Sequence, residues 1–242
     1  LAPRIFRVRG IDVRLHLTLL LFWVYIFAMA LSTPGNKLLA SAGAAIAIVL
    51  TLGFITWHEL GHAWAARRNH IGVAGILLWP LGGECQIMGL PDPRTEIFVA
   101  LGGPLAHALL ALVLWPIVWM LDTFVGGPLF GGLYYGWYLM LWVLGFNLVP
   151  SFPLDGGRVL RGALVFRLGE YRATMVAGRI GQGFALLYLI MAIWSGQMLF
   201  GFLAVYIFFG AQREIQSVMI GGRIYNPSAR NIYASELGIK ED

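Results

Sequence analysis

Residues 38–62 read LLASAGAAIAIVLTLGFITWHELGH, and this stretch decides both the fold class and the candidate chemistry. The run from Leu38 to Trp57 is apolar and about as long as a helix needs to be to cross a bilayer. It ends in His58, Glu59 and His62, and on a helix the positions i and i+4 share a face, so both imidazoles can reach one metal ion. Glu59 lies beside that ion and can take a proton from a water there. The alternative is a buried helix whose polar side chains merely pair, but such groups are costly in a membrane without a function.

The composition points to the same environment. The chain is 59% hydrophobic and 12% charged, with a mean hydropathy of +0.75. Soluble proteins average about 45–50% apolar and about 25% charged residues, so the sequence predicts an integral membrane protein. The net charge of +5 does not indicate nucleic-acid binding, because the basic residues lie in loops on one side of the predicted membrane. A single cysteine, Cys85, excludes an intrachain disulfide.

Apolar segments predict an all-α polytopic membrane protein with six transmembrane helices, at 15–32, 38–66, 97–121, 133–149, 173–194 and 197–212. Arginines flank the start of the first span and the ends of the second, fourth and sixth, which places them on one side. Lys37 alone falls on the other side, and Arg179 lies within the fifth span. We therefore expect a multi-pass protein of the cell (inner) membrane, with both termini and the active-site opening on the cytoplasmic side. The alternative for the first span is a signal peptide cleaved after Ala30, although its apolar run is longer than usual.

Two segments do not fit a helix. Arg4–Leu15 alternates apolar and charged residues around a glycine and predicts one or two short strands. Ile71–Leu90 is apolar but rich in glycine and proline, which predicts a pair of strands joined at Leu81-Gly82-Gly83. Irregular backbone at membrane depth must be buried in protein or line a water-filled cavity. We expect a small membrane-associated β-sheet beside the site, whose free edge pairs with an extended substrate; the alternative is a packing plug.

A catalytic zinc usually has three protein ligands, so a third must come from elsewhere in the chain. The other polar cluster near a span is 147–157, NLVPSFPLDGG. Its prolines end the fourth span and its glycines free the backbone, so Asp155 can turn back as an oxygen ligand. Spacing alone leaves open whether Asp155 is a ligand or the N-cap of a helix starting near Gly157. Asn147 can donate a hydrogen bond to a developing oxyanion.

Together, the HELGH motif at 58–62 and the NLVPSFPLDGG motif at 147–157 resemble the site-2 protease family of intramembrane zinc metalloproteases. The resemblance covers approximately residues 4–220 and extends to Leu81-Gly82-Gly83 and Gly102-Gly103-Pro104. It implies that His58, His62 and Asp155 bind one Zn²⁺ and that Glu59 is the catalytic acid/base. It also implies that the substrate is the transmembrane helix of a membrane-anchored protein, cut within the lipid bilayer.

The domain layout follows from the same resemblance. Residues 1–220 form the predicted metalloprotease core, and 221–242 a short cytoplasmic tail. The six-span layout without a PDZ domain resembles the prokaryotic branch that often carries cystathionine-β-synthase-type (CBS) domains after the core. The tail is then either naturally short or a linker to such a domain.

Three other histidines and the cysteine need interpretation. Relatives often have Asn or Ser where this chain has His107, which is either a histidine hydrogen-bonded within the bundle or an extra metal contact or proton relay near Glu59. His16 and His70 are predicted to lie at the membrane interface without a catalytic role. Cys85 is predicted to pack in a strand and not to act as a nucleophile. The rival functional class is a non-proteolytic zinc-binding membrane protein or transporter, but a transporter would carry ionisable residues on several spans.

Overall fold

The computed structural model describes residues 2–32, 36–80, 82–89, 91–124 and 128–225. Within these ranges the chain forms, in order, β1 (Arg4–Val8), β2 (Ile11–Leu15), α1 (Leu17–Ser32), α2 (Lys37–Arg68), β3 (Val73–Trp79), β4 (Gly82–Ile87), α3 (Pro93–Phe124), α4 (Pro128–Asn147), α5 (Asp155–Ser195) and α6 (Met198–Tyr225). The chain divides into two compact units, Leu1–Asn147 and Leu148–Asp242.

The structure describes six helices, as many as the predicted apolar segments, but fewer stretches among the described residues have the length and hydropathy of a membrane span. Among the described residues, four stretches are long and apolar enough to cross a membrane: Ala40–Arg68, Pro93–Leu121, Asp155–Ser195 and Met198–Ile220. α1 is a shorter apolar helix. Many large apolar side chains on the helices are exposed, with Trp194 at 89% and Ile193 at 78%. Such surfaces belong against lipid, so the chain is a multi-pass membrane protein.

The fifth predicted span lies within a longer helix. A span was predicted at 173–194, but α5 begins at Asp155 and ends at Ser195. Gly169 interrupts it with a non-helical backbone, at φ 74° and ψ 166°. The reason for the difference is composition, because the first part of α5 contains arginines and glycines that lower its hydropathy while leaving helix formation possible.

The four strands form one sheet in the order β1-β2-β3-β4. β1 pairs antiparallel with β2, and β3 pairs antiparallel with β4, so the prediction of strands in both segments is confirmed. β2 and β3 pair in parallel, with Val13 opposite Ile76, which the sequence did not predict. Gly82 and Gly83 lie in β4, and Leu81 lies outside the described residues.

The core of the first unit lies between the sheet and α2. Its members are Ile11, Val13, Leu19, Ala63, Ile76 and Leu78. α2 and α3 meet closely at Gly61 and Gly102: a Cβ at Gly61 would lie 2.7 Å from Ala106 Cβ, and one at Gly102 would lie 2.7 Å from the Gly61 carbonyl oxygen. Small residues permit this close approach of two helices in a membrane. The crossing brings the polar end of α2 against α3.

In the second unit, α5 packs along α6. A Cβ at Gly178 would lie 2.7 Å from Ile215 Cδ1, and Gln182 Nε2 donates a hydrogen bond of 2.9 Å to Gln212 Oε1. Phe152, Ala177 and Ala211 form the buried cluster of this unit.

Candidate metal centre

The three polar side chains at the end of α2 are buried. His58, Glu59 and His62 are 5%, 4% and 7% exposed. The Nε2 atoms of His58 and His62 face each other at 3.2 Å. Two nitrogen ligands about 2.0–2.1 Å from a tetrahedral zinc are roughly 3.3 Å apart. The two imidazoles therefore already have the separation that a single zinc ion requires.

The other nitrogen of His62 explains why Nε2 is available. Its Nδ1 lies 2.7 Å from the Val99 carbonyl oxygen on α3. A carbonyl only accepts, so Nδ1 carries the proton and Nε2 carries the lone pair through which a histidine binds a metal. The Gly103 N–H also lies 3.3 Å from Nδ1, but a protonated Nδ1 does not accept from it.

Glycine at 103 leaves the space in which the two rings meet. A Cβ at this position would lie 2.7 Å from His58 Nε2 and closer still to His62 Nε2. Any side chain at 103 would therefore fill the space beside these two imidazole nitrogens. The described residues of this unit thus fit a metal ion.

Glu59 points to the sheet. A Cβ on Gly83 of β4 would lie 2.7 Å from Glu59 Cδ and Oε1. The carboxylate is thus held against the backbone of β4, an edge strand of the sheet. A base at this position can act on a molecule that approaches along that strand.

Asn147 and Asp155 lie at the two ends of the segment that joins α4 to α5. Asn147 is the last residue of α4, is half-buried, and donates from Nδ2 to the Val143 carbonyl at 3.1 Å. Asp155 is the first residue of α5 and is half-buried. The N-cap is Leu154, with an extended backbone and no side-chain capping bond, so the interpretation of Asp155 as the N-cap is wrong.

Two further histidines and the cysteine also lie in the first unit. His16 precedes α1 and its Nδ1 is 2.7 Å from Thr18 Oγ1, while His70 follows α2 with a φ of 59°. Burial raises the pKa of the Cys85 thiol on β4 to about 12, with a further contribution from Glu59. Because the thiolate is the nucleophilic form, this thiol is inert at neutral pH.

Sequence reasoning missed the parts of the site that are made of backbone. The Val99 carbonyl and the Gly83 backbone have no side-chain pattern that could reveal them. Gly103 was noted within Gly102-Gly103-Pro104, but only as part of the resemblance. The glycine pair Gly102-Gly103 on α3 is the sequence signal for a close crossing with another helix, which here is α2.

The family model that matches this chain is that of a peptidase family, and two similar curated proteins are named as zinc metalloproteases. Residues 44–132 match the model of Peptidase family M50. The chain is 32% identical over 230 residues to the zinc metalloprotease MJ0392 of Methanocaldococcus jannaschii, covering 95% of this chain and 65% of that protein. It is 30% identical to the putative zinc metalloprotease Rip3 of Mycobacterium tuberculosis, covering 86% of this chain and 57% of that protein. The chain thus spans about 57–65% of the length of these curated relatives.

A solved structure is also similar. The site-2 protease from Methanocaldococcus jannaschii superimposes with a TM-score of 0.69 at 30% identity, covering 89% of this chain and 95% of that one. The agreement therefore extends over nearly the whole described fold.

Proposed function

The chain belongs to peptidase family M50, and from that premise we propose that it is an intramembrane zinc metalloprotease. It hydrolyses peptide bonds within or near the transmembrane segments of membrane-anchored proteins. The observation that carries the proposal is the buried pair His58 and His62, with Nε2 atoms 3.2 Å apart, at the end of an apolar helix. A base, Glu59, lies next to this pair.

We propose that zinc is held by His58, His62 and Asp155. Two imidazoles with one carboxylate are donors that catalytic zinc takes. The proposal for Asp155 is supported by its place in the NLVPSFPLDGG motif. When bound, zinc supplies polarisation of the scissile carbonyl and lowers the pKa of its water toward about 7.

Glu59 is the proposed general base and acid. It takes the proton from the attacking water and returns it to the leaving amine. Its burial supports this role, because a carboxylate shielded from bulk water by β4 exchanges protons with the site. Asn147 is proposed to stabilise the oxyanion: one hydrogen of its amide is used on Val143, and the second remains for the substrate oxygen.

The substrate is proposed to bind in extended form along β4. A transmembrane helix satisfies its own backbone hydrogen bonds, so it must unwind before its carbonyl can be attacked. The outer edge of β4 offers backbone groups that replace the bonds lost on unwinding. Because Gly83 lies against Glu59, a strand added there would bring its peptide bonds to the base.

We further propose six crossings, an inner-membrane location and a cytoplasmic location of both termini and of the site opening. The support is the one-sided distribution of arginine in the loops. Residues 1–220 are the proposed core and 221–242 the tail; residues 226–242 lie outside the described part of the chain.

The test is Glu59→Gln in protein reconstituted into liposomes with a membrane-embedded substrate. Zinc content should stay at the wild-type level, while cleavage should fall by about 10²–10⁴-fold, because acid–base catalysis is lost. Glu170→Gln, which makes the same change at an exposed position of α5, is the matched control. Wild-type cleavage by Glu59→Gln would refute the mechanism. Zinc binding by wild-type protein without cleavage of any embedded substrate would favour a non-proteolytic zinc protein.

A further inference from the structure

A third histidine lies against the candidate metal centre. His107 on α3 is 1% exposed, and its Nδ1 is 3.3 Å from His58 Nδ1. The two rings meet edge to face, with centroids 5.5 Å apart. His58 therefore has a histidine at each of its nitrogens, with His62 at Nε2 and His107 at Nδ1.

Metal binding at His58 Nε2 would determine which nitrogens of His58 and His107 carry protons. If His58 gives its Nε2 lone pair to a metal, the proton of the neutral ring is on Nδ1. Nδ1–H then donates to His107 Nδ1, so His107 accepts there and carries its own proton on Nε2. The opposite arrangement would put a proton on His58 Nε2 and block the position that faces His62.

The two proposed imidazole ligands are thus held in the same way by different groups. His62 donates from Nδ1 to a backbone carbonyl, that of Val99, whereas His58 donates to a side chain. A hydrogen bond of this kind fixes the tautomer and the ring orientation of a metal-binding histidine. Only the partner of His58 can be removed by a substitution.

The remaining nitrogen of His107 supports this assignment. Its Nε2 is buried and has no hydrogen-bond partner within the described part of the chain. A histidine kept for structural hydrogen bonding is expected to use both nitrogens, since an unpaired buried polar group is unfavourable. Among the described residues, the polar contact of its ring is the one with His58 Nδ1.

We infer that His107 is a positioning residue, which orients His58 and fixes its tautomer for metal binding through Nε2. The inference rests on the proposed zinc site and extends it. His107 is not a further ligand of the same ion, because it faces the opposite edge of the His58 ring from His62.

The geometry of amide side chains provides a sharp test. The Oδ1 of asparagine can occupy the place of a histidine Nδ1, whereas the Oε1 of glutamine corresponds to Nε2. His107→Asn should therefore keep an acceptor for His58, while His107→Gln and His107→Leu should not. His70→Asn is the matched control, since it makes the same change at a positive-φ turn position that asparagine tolerates.

Zinc affinity is measured by chelator competition, and the visible spectrum of the Co²⁺-substituted protein reports ligand geometry. His107→Gln and His107→Leu should weaken zinc binding by about 10–100-fold and shift the Co²⁺ bands. His107→Asn and His70→Asn should stay within about threefold of wild type. Thermal unfolding identifies a variant that does not fold, and the Asn–Gln pair keeps the test intact if His107→Leu fails to fold.

Two results would overturn the inference. One is wild-type zinc affinity and Co²⁺ spectrum in folded His107→Gln and His107→Leu. The other is His107→Asn binding zinc as weakly as His107→Gln. Either leaves the proposed protease standing if wild-type protein binds zinc and cleaves, whereas wild-type protein that binds no zinc refutes the protease itself.

Discussion

Gly103 shows how far a single position constrains the candidate site. Its missing side chain is what lets the backbone of α3 lie against two imidazoles at once. Any larger residue must displace at least one ring, because the neighbouring atoms belong to two buried imidazoles and not to flexible chain ends. The absence of a side chain at Gly103 is therefore expected to affect the metal affinity of the proposed site.

Gly103→Ala should lower zinc affinity by roughly tenfold or more. Overpacking a tight site costs about 1–3 kcal/mol, and here the groups that must move are the ligands themselves. Chelator competition on purified protein gives the affinity. Gly53→Ala on α2, where a Cβ meets nothing within 4 Å, is the control and should bind zinc like wild type. Equal affinity in both variants would show that the rings do not meet at Gly103.

At this scale the sequence predicts side-chain patterns well and backbone contacts poorly. The i, i+4 spacing places His58 and His62 on one helix face, and the structure brings their Nε2 atoms to 3.2 Å. The contacts of His62 with the Val99 carbonyl and of Glu59 with the Gly83 backbone could not be predicted, because every residue carries the same backbone groups. Asp155 and Asn147 remain proposals that rest on their motif.

At the scale of elements, helices and strands were predicted from different kinds of pattern. Alternation around Gly10 and the glycines of 71–90 predicted strands, and four strands are present. The parallel partner of β2 could not be predicted, since two helices separate it from β3 in the chain. The predicted fifth span covers only part of α5, because hydropathy locates the apolar part of a helix and not its first residue.

The Gln182–Gln212 hydrogen bond is expected to stabilise the packing of α5 on α6. Gln182→Leu or Gln212→Leu alone should destabilise the protein by about 0.6–2 kcal/mol, because the remaining amide loses its partner. The double variant should recover part of that loss, since no amide is left unpaired. Unfolding titrations in mixed micelles measure these free energies, and strictly additive effects would show that the two amides do not interact.

For the molecule as a whole, the arginine distribution predicts which side each loop faces. The one-sided excess supports a single orientation in the bilayer, with Lys37 on the side opposite Arg68. Hydropathy alone does not determine the number of crossings, because four stretches among the described residues are long and apolar enough to span a membrane and α1 is shorter.

Orientation is testable with single cysteines in a Cys85→Ser parent, which has no other thiol. An impermeant maleimide should label Arg68→Cys in inside-out vesicles and Lys37→Cys in right-side-out vesicles, because both positions are exposed. The parent protein, which should remain unlabelled, is the control. Labelling of both positions from the same side would contradict the proposed topology.

The parallel pairing of β2 with β3 has a consequence for biogenesis. A parallel pair requires a crossover connection between its strands, and here α1 and α2 form that connection. During synthesis the β1–β2 hairpin emerges first, yet β3, the neighbour of β2 in the sheet, is made only after α2. β4 joins the sheet later still, through β3. The strand that lies against Glu59 can therefore join the sheet only once α1 and α2 have been synthesised, which delays assembly of the site until then.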